Sequence, residues 1–269
     1  MRAFRIAYDG TDYRGFQRQP HENTIEDELL SALSALGVTD GIPPGYAAAG
    51  RTDAGVSALA QTVCFEAPPW LTPAAFGSEL PADIRPWAVA DVPETFHATH
   101  DATERAYRYA LVAPPETIDD DRVSTACRRL SGTHDFHNLT TDDEGTRRRL
   151  SVDVTRNPTR ESILYVDARA GGFPRGLVRR LVSLLSSIGR DERSLDALDR
   201  VLDPRPLSGP DGVPPAPPEP LLLREAVYPE VSFAVDGDAA RRARGAFEER
   251  RRRRLAGVSV ADELSDIGT

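Results

Sequence analysis

Apolar and polar positions alternate along Phe4-Arg5-Ile6-Ala7-Tyr8, the period of a half-buried strand, and the run ends at Asp9-Gly10. A polar loop from Tyr13 to Gln19 follows. Ile25, Leu29, Leu30, Leu33 and Leu36 then recur at helical spacing, with Asn23 as N-cap, Glu26 three residues on, and Gly37 as the stop. Small residues dominate positions 46–56, which lead into a strand from Thr62 to Glu66, a short helix from Thr72-Pro73 and a strand over Ala88 to Val92. The second half repeats this style. It predicts a strand from Ala106 to Val112, a helix ending near Leu130-Ser131-Gly132, and strands from Leu150 to Thr155 and Ser162 to Ala168. The longest predicted helix has Pro174 at its first position, Leu177, Leu181, Leu184, Leu185 and Ile188 on one face, and Gly189 as its stop. A helix over Ser194 to Leu202, a surface loop rich in proline from Pro204 to Pro220, and a strand from Leu221 to Val227 complete the pattern. The tail from Arg241 to Leu255, with five consecutive arginines at 250–254, predicts a solvated helix with one strongly basic end.

Strands interleaved with helices, without a repeat of 20 to 50 residues, give an α+β class. The chain divides into an N-terminal lobe over 1–101, a C-terminal lobe over 102–235 and a basic then acidic tail over 236–269. No run of about 18 apolar residues is present, and the N-terminus enters strand-like sequence directly, so the expectation is a cytoplasmic protein with no membrane partner.

Composition changes that picture in one respect. All 33 basic residues are arginine, set against 42 acidic residues for a net charge of −9. An acidic, self-repelling surface suits a salt-rich cytoplasm such as that of a halophilic microbe. At molar salt the Debye length falls to about 3 Å, so net charge does not bar a polyanionic partner, and arginine still offers bidentate contacts to phosphate. Cys64 and Cys127 lie far apart without metal-type spacing and read as reduced structural thiols.

Ala49-Gly50-Arg51-Thr52-Asp53-Ala54-Gly55-Val56 sets one carboxylate between two glycines, beside a guanidinium and a hydroxyl. By itself this reads as a tight turn capped by its Asp. Together with Gln61, however, the segment resembles the catalytic signature of the tRNA pseudouridine synthase A family. Tyr8-Asp9-Gly10 and Gly15-Phe16-Gln17-Arg18-Gln19 resemble that family's opening motif, Phe96-His97-Ala98 and Arg105-Ala106-Tyr107-Arg108-Tyr109 its central motif, and Phe173 to Val182 its later helix with a functional arginine. The similarity runs in order from residue 4 to about 229.

The resemblance implies the pseudouridine synthase fold, a mainly antiparallel sheet with flanking helices and two related lobes around a cleft. It makes Asp53 the essential carboxylate, Arg179 its partner, Tyr107 the aromatic that stacks on the target uracil, and Arg51 a neighbour that engages RNA or the flipped base. Gln61 and Leu221 enter as further residues at the substrate. Arg14 and Arg18, with Arg147 to Arg149, are candidate backbone contacts, and the arginine-rich tail is an auxiliary one. The implied reaction converts uridine to pseudouridine in the anticodon stem-loop of tRNA, at positions 38 to 40, by a homodimer. Breaking the glycosidic bond and rejoining uracil through C5 requires an oxygen nucleophile or a base, and no metal or other cofactor is implied. Attack at C1′, attack at C6 and formation of a glycal all remain open to Asp53.

His97 with His100, and His134 with His137, have the spacing H-x-x-H, and neither pair is assigned to a metal, because zinc usually needs three or four ligands. Pro174, Arg175, Gly176, Ala106 and Ser57 depart from the family's usual residues, which touches RNA grip and target choice. Two other readings stand beside the synthase. One is a catalytically silent RNA-binding protein on the same fold; the other is a nucleoside or glycoside hydrolase, which normally wants two carboxylates flanking the bond.

Overall fold

A computed structural model describes residues 1–20, 23–207, 209 and 212–267. Among these residues ten strands form one sheet: β1 (Arg2–Tyr8), β2 (Ala47–Ala48), β3 (Ser57–Phe65), β4 (Ile84–Asp91), β5 (Glu104–Val112), β6 (Gly132–Asp135), β7 (Arg147–Arg156), β8 (Ile163–Ala170), β9 (Leu221–Val227) and β10 (Ala234–Val235). Their order is β10-β4-β1-β3-β9-β5-β8-β7-β6, with β2 attached to β3. Every pairing is antiparallel except β3 with β9, which is parallel over Ser57↔Leu222 and Ala58↔Leu223. This is the expected α+β class. Late in sequence but central in space, β9 sits between β3 and β5 and joins the two halves of the chain.

Among the described residues six α-helices flank the sheet: α1 (Ile25–Ala35), α2 (Pro73–Phe76), α3 (Asp120–Leu130), α4 (Leu177–Gly189), α5 (Ala197–Leu202) and α6 (Gly237–Ser265). Helix α1 begins one residue later than its sequence suggests. Thr24 is the cap, its Oγ1 accepting from the Asp27 N–H at 3.2 Å, while Asn23 turns to φ 64° and donates its side-chain amide to the Asp12 carbonyl. Helix α4 starts at Leu177 rather than Pro174, because Gly176 takes a left-handed conformation at the N-cap. Its predicted stripe is core, with Leu177, Leu181, Leu184, Leu185 and Ile188 all essentially inaccessible.

Strand β1 is covered on both faces rather than half-buried. Phe4, Ile6 and Tyr8 pack with α1 residues Ile25, Leu29 and Leu33, while Ala3 joins a smaller cluster with Cys64, Phe96 and Tyr228. The polar position in its pattern, Arg5, is buried too. Its guanidinium lies 4.2 Å from the Phe233 ring centre and donates to the Ala60 carbonyl and to Thr62 Oγ1, so ring faces and oxygens replace water. A separate core fills the space between β5–β8 and helices α3, α4 and α5.

Two other expectations change. The proline-rich loop is not simply surface: Val213 and Ala216 are buried, Arg180 Nη1 donates to the Val213 carbonyl, and Ala216 exchanges hydrogen bonds with Arg179. Guanidinium groups of α4 thus satisfy its carbonyls where water would otherwise be needed; residues 208, 210 and 211 of that loop lie outside the described residues. The tail is helical over 29 residues, longer than its sequence pattern marks, and its first turns pack through Ala239, Ala240 and Ala243. Positions 268 and 269 of the tail lie outside the described residues. Among the described residues no helix is long and apolar enough to cross a membrane.

Candidate active site

A cleft of about 1100 Å³ opens where the loop after β2, the start of β9, strand β5 and the N-terminal end of α4 meet. Asp53 stands on its wall with about a third of its side chain accessible. The loop that carries it is a turn closed by the Val56 N–H on the Asp53 carbonyl, 3.1 Å.

That turn is held from behind at almost every residue. Arg105 donates Nε and Nη2 to the Ala49 carbonyl, and Gln61 Nε2 donates to the Gly50 carbonyl at 2.8 Å. Thr52 Oγ1 pairs with the Tyr8 hydroxyl at 2.8 Å, its carbonyl accepts from the Phe16 N–H, and the Gly55 N–H donates to the Tyr13 carbonyl. Two glycines of the opening motif make this approach possible. A Cβ on Gly10 would lie 2.0 Å from the Val56 carbonyl oxygen, and Gly15, at φ 108°, would bring one to 2.9 Å from that of Thr52. The opening motif therefore serves as the bed of the Asp53 turn.

Arg179 faces the cleft from the first turn of α4, with its Nη1 3.4 Å from Asp53 Oδ2. Its Nε donates to the Ala216 carbonyl at 2.7 Å, which fixes the plane of the guanidinium. Tyr107, part-buried on β5, packs edge-on against Phe173 with ring centres 5.1 Å apart. Burial, and next the Asp53 charge, push its hydroxyl up to about 12, so the ring stays neutral in any physiological solution. Tyr109, two residues on, is 2% exposed and belongs to the α4 core. One tyrosine of the alternating pair thus lines the cleft and the other packs.

Arg51, Arg14 and Leu221 also line the cleft, the two arginines exposed and Leu221 nearly buried. Others of the residues singled out by sequence lie elsewhere. Gln61 is fully buried, and its amide is spent on the Gly50 carbonyl and the Thr62 N–H, so it supports the turn rather than facing a ligand. Arg18 is outside the cleft lining, with its Nε on Asp27 at 2.9 Å. Arg147 and Arg149 are exposed on β7, away from the cleft lining.

Sequence reading passed over three contributors. Phe173 supplies the second aromatic wall. His97, assigned to no metal, lines the cleft with its ring 4.2 Å from that of His100. Arg105 is 8% exposed, and its N–H groups fan onto the carbonyls of Ala49, Thr99, Ala102 and Gly171, three segments that lead to the cleft walls. Its alternation on β5 with Tyr107 and Tyr109 is the one signal that places it inward.

Chemically, the cleft offers one carboxylate on a rigid turn, a guanidinium beside it and an aromatic face. Among the described residues two other carboxylates line it, and both accept from backbone: Glu26 from the Arg18 N–H and Asp142 from the Arg175 N–H. Asp53 is the one aligned with Arg179.

Known proteins match this chain along its whole length. A family model described as tRNA pseudouridine synthase matches residues 126–229. A tRNA pseudouridine synthase A of Natronomonas pharaonis is 62% identical over 98% of this chain and 99% of its own. Proteins of the same name from Haloarcula marismortui and Halobacterium salinarum are 56% and 52% identical, each over 99% of both chains. Among solved structures, a chain of a Cbf5-Nop10-Gar1 complex aligns over 69% of this chain and 45% of its own at 11% identity, with a TM-score of 0.35, a slight likeness beside these relatives. Its relatives at this identity and coverage place the chain in the tRNA pseudouridine synthase A family.

Proposed function

We propose that this protein isomerises uridine to pseudouridine in the anticodon stem-loop of tRNA, at positions 38 to 40, with Asp53 as the reacting carboxylate. The observation that carries the proposal is the pairing of Asp53 with Arg179 at 3.4 Å on the wall of a cleft that also presents the Tyr107 ring. Isomerisation cleaves the bond from C1′ to N1, turns the uracil and forms a bond from C1′ to C5, after which the C5 hydrogen leaves as a proton. Asp53 acts as nucleophile or as base, and Arg179 balances its charge through that sequence. A base inside a stacked stem cannot reach Asp53, so the target nucleotide is flipped into the cleft at a cost of a few kcal/mol. Stacking on Tyr107, worth about 1–3 kcal/mol, offsets much of that. The cleft, at about 1100 Å³, exceeds the range of about 300–1,000 Å³ usual for small-molecule pockets, as a site for a nucleotide with its neighbours should. Arg14 and Arg51 on its rim suit phosphate contacts.

The working form in this proposal is a cytoplasmic homodimer that needs no cofactor and operates in high salt. The lysine-free acidic composition and the haloarchaeal relatives support the salt assignment. Tritium release from tRNA labelled at C5 of uridine, in molar salt, tests the function. Release by the native enzyme that vanishes in Asp53→Asn is expected; a folded, tRNA-binding protein that releases none is a silent binder, and one that liberates free uracil is a hydrolase.

A further inference from the structure

The run of five arginines at 250–254 does not form one solvated patch. Arg251, Arg252 and Arg253 point outward and pair with Glu248 or Glu249 of the same helix. Arg250 and Arg254, one helical turn apart, point inward. Arg250 spans two carboxylates, Nη1 on Asp9 Oδ2 at 3.0 Å and Nη2 on Asp83 Oδ2 at 2.7 Å. Arg254 Nη2 adds a second contact to Asp9 Oδ2 at 2.6 Å and one to Thr11 Oγ1 at 2.9 Å. The side chains of Asp9 and Asp83 are only 6% and 11% accessible. Burial alone would raise the Asp9 carboxyl, yet it sits below the usual range, because the Thr11 hydroxyl and Arg254 favour the carboxylate.

These acids belong to the bed of the catalytic turn. Asp9 precedes Gly10, which abuts Val56 and donates its N–H to Ser57 Oγ at 3.0 Å. Asp83 accepts the Tyr13 hydroxyl at 3.0 Å, and the Tyr13 carbonyl takes the Gly55 N–H. The link is continuous from α6 through Asp9 and Asp83, then the loop from Gly10 to Tyr13, to the residues that immediately follow Asp53. We infer that Arg250 and Arg254 are positioning residues of the synthase: α6 clasps two buried carboxylates that would otherwise repel each other beneath the Asp53 turn. In this role the arginine-rich helix acts on the site from behind instead of gripping RNA.

The inference rests on the reading of Asp53 given above, and two readouts separate the failures. In Arg250→Ala/Arg254→Ala, hydrogen exchange at residues 53–57 should quicken, which is read without turnover. Under saturating tRNA, kcat should fall about tenfold while KM and the salt dependence of tRNA binding stay unchanged. Adding Asp83→Asn to that variant removes one of the two repelling charges and should restore most of kcat and of the exchange protection. Arg254→Ala alone, which leaves the Arg250 bridge in place, provides a milder folded variant with the same signature. The proposal is overturned by unchanged exchange, by unchanged kcat, or by a rise in KM with a shallower salt slope and no recovery from Asp83→Asn, the signature of a direct phosphate contact. If exchange responds as expected but Asp53→Asn retains activity in the native background, the reading of Asp53 fails and not the clasp.

Discussion

Arg179 reaches Asp53 through one nitrogen, Nη1 to Oδ2 at 3.4 Å, because its Nε is already committed to the carbonyl of Ala216. The guanidinium works as a bracket with one arm on the proline-rich loop and the other at the carboxylate. Lysine, a point charge on a flexible stem, lacks the rigid fork that directs two separate nitrogens at the two acceptors. Arg179→Lys should therefore lower kcat about 10²-fold with little change in tRNA affinity, the effect of a misplaced charge at a reacting group. Single-turnover tritium release together with filter binding checks it.

Tyr107 offers its ring to the cleft and its edge to Phe173. Tyr107→Ala should cost about 1–3 kcal/mol of base stacking, whereas Tyr107→Phe should keep the stacking contribution. Comparing kcat/KM of the two variants separates the ring from the hydroxyl.

Gly10 has no room for a side chain, since its Cβ would fall 2.0 Å from the Val56 carbonyl oxygen. Gly10→Ala should destabilise the fold by about 1–3 kcal/mol through overpacking and reduce turnover more than global unfolding explains, because the displaced atoms belong to the Asp53 turn. Denaturant melts paired with activity under native conditions distinguish the two effects.

Arg105 balances no carboxylate in the contacts it makes; it gathers four carbonyls. Arg105→Gln should leave several of these unsatisfied at about 1–3 kcal/mol for each buried group, lowering the melting temperature and loosening both cleft walls. Thermal melts and hydrogen exchange at residues 99–102 report it.

Burial raises the hydroxyls of Tyr107, Tyr109 and Tyr228 to about 12. An unfolded tyrosine ionises near about 10, so the unfolded chain loses these protons first. The stability tied to them is whole below pH about 10 and is lost as pH rises toward 12. Melts between pH 8 and 11.5 should show this decline, and Tyr109→Phe should flatten it.

Much of this was legible in the chain because periodicity reports burial directly. The α4 stripe and strand β9 fall where the leucine spacing puts them. What escaped depended on local backbone conformation or on side chains reaching across long sequence separations. Asn23 and Thr24 are both good caps, and only the positive φ of Asn23 decides between them. Arg5 occupies a polar position in an alternating strand, and nothing local announces that Phe233 will cover it. The proline-rich loop looks solvated by composition, yet α4 arginines take up its carbonyls. At the site, motif order singled out Asp53, Arg179 and Tyr107, which the fold brings to one cleft. Gln61 shares a motif with Asp53 but points to the other side of the turn, and a one-dimensional pattern carries no sign of that.

The placement of β9 has a consequence for how the enzyme comes into being. Residues 221–227 form the strand that joins the halves, between β3 and β5, and Leu221 at its start lines the cleft. Until this stretch has emerged from the ribosome, the half bearing Asp53 and the half bearing Tyr107 and Arg179 have no strand to bridge them. Pairing across so long a separation is intrinsically slow. The nascent chain thus carries no assembled pocket for most of its synthesis, and premature termination before residue 221 yields two incomplete half-sheets with open edges, material for chaperones and proteases rather than a weakened enzyme.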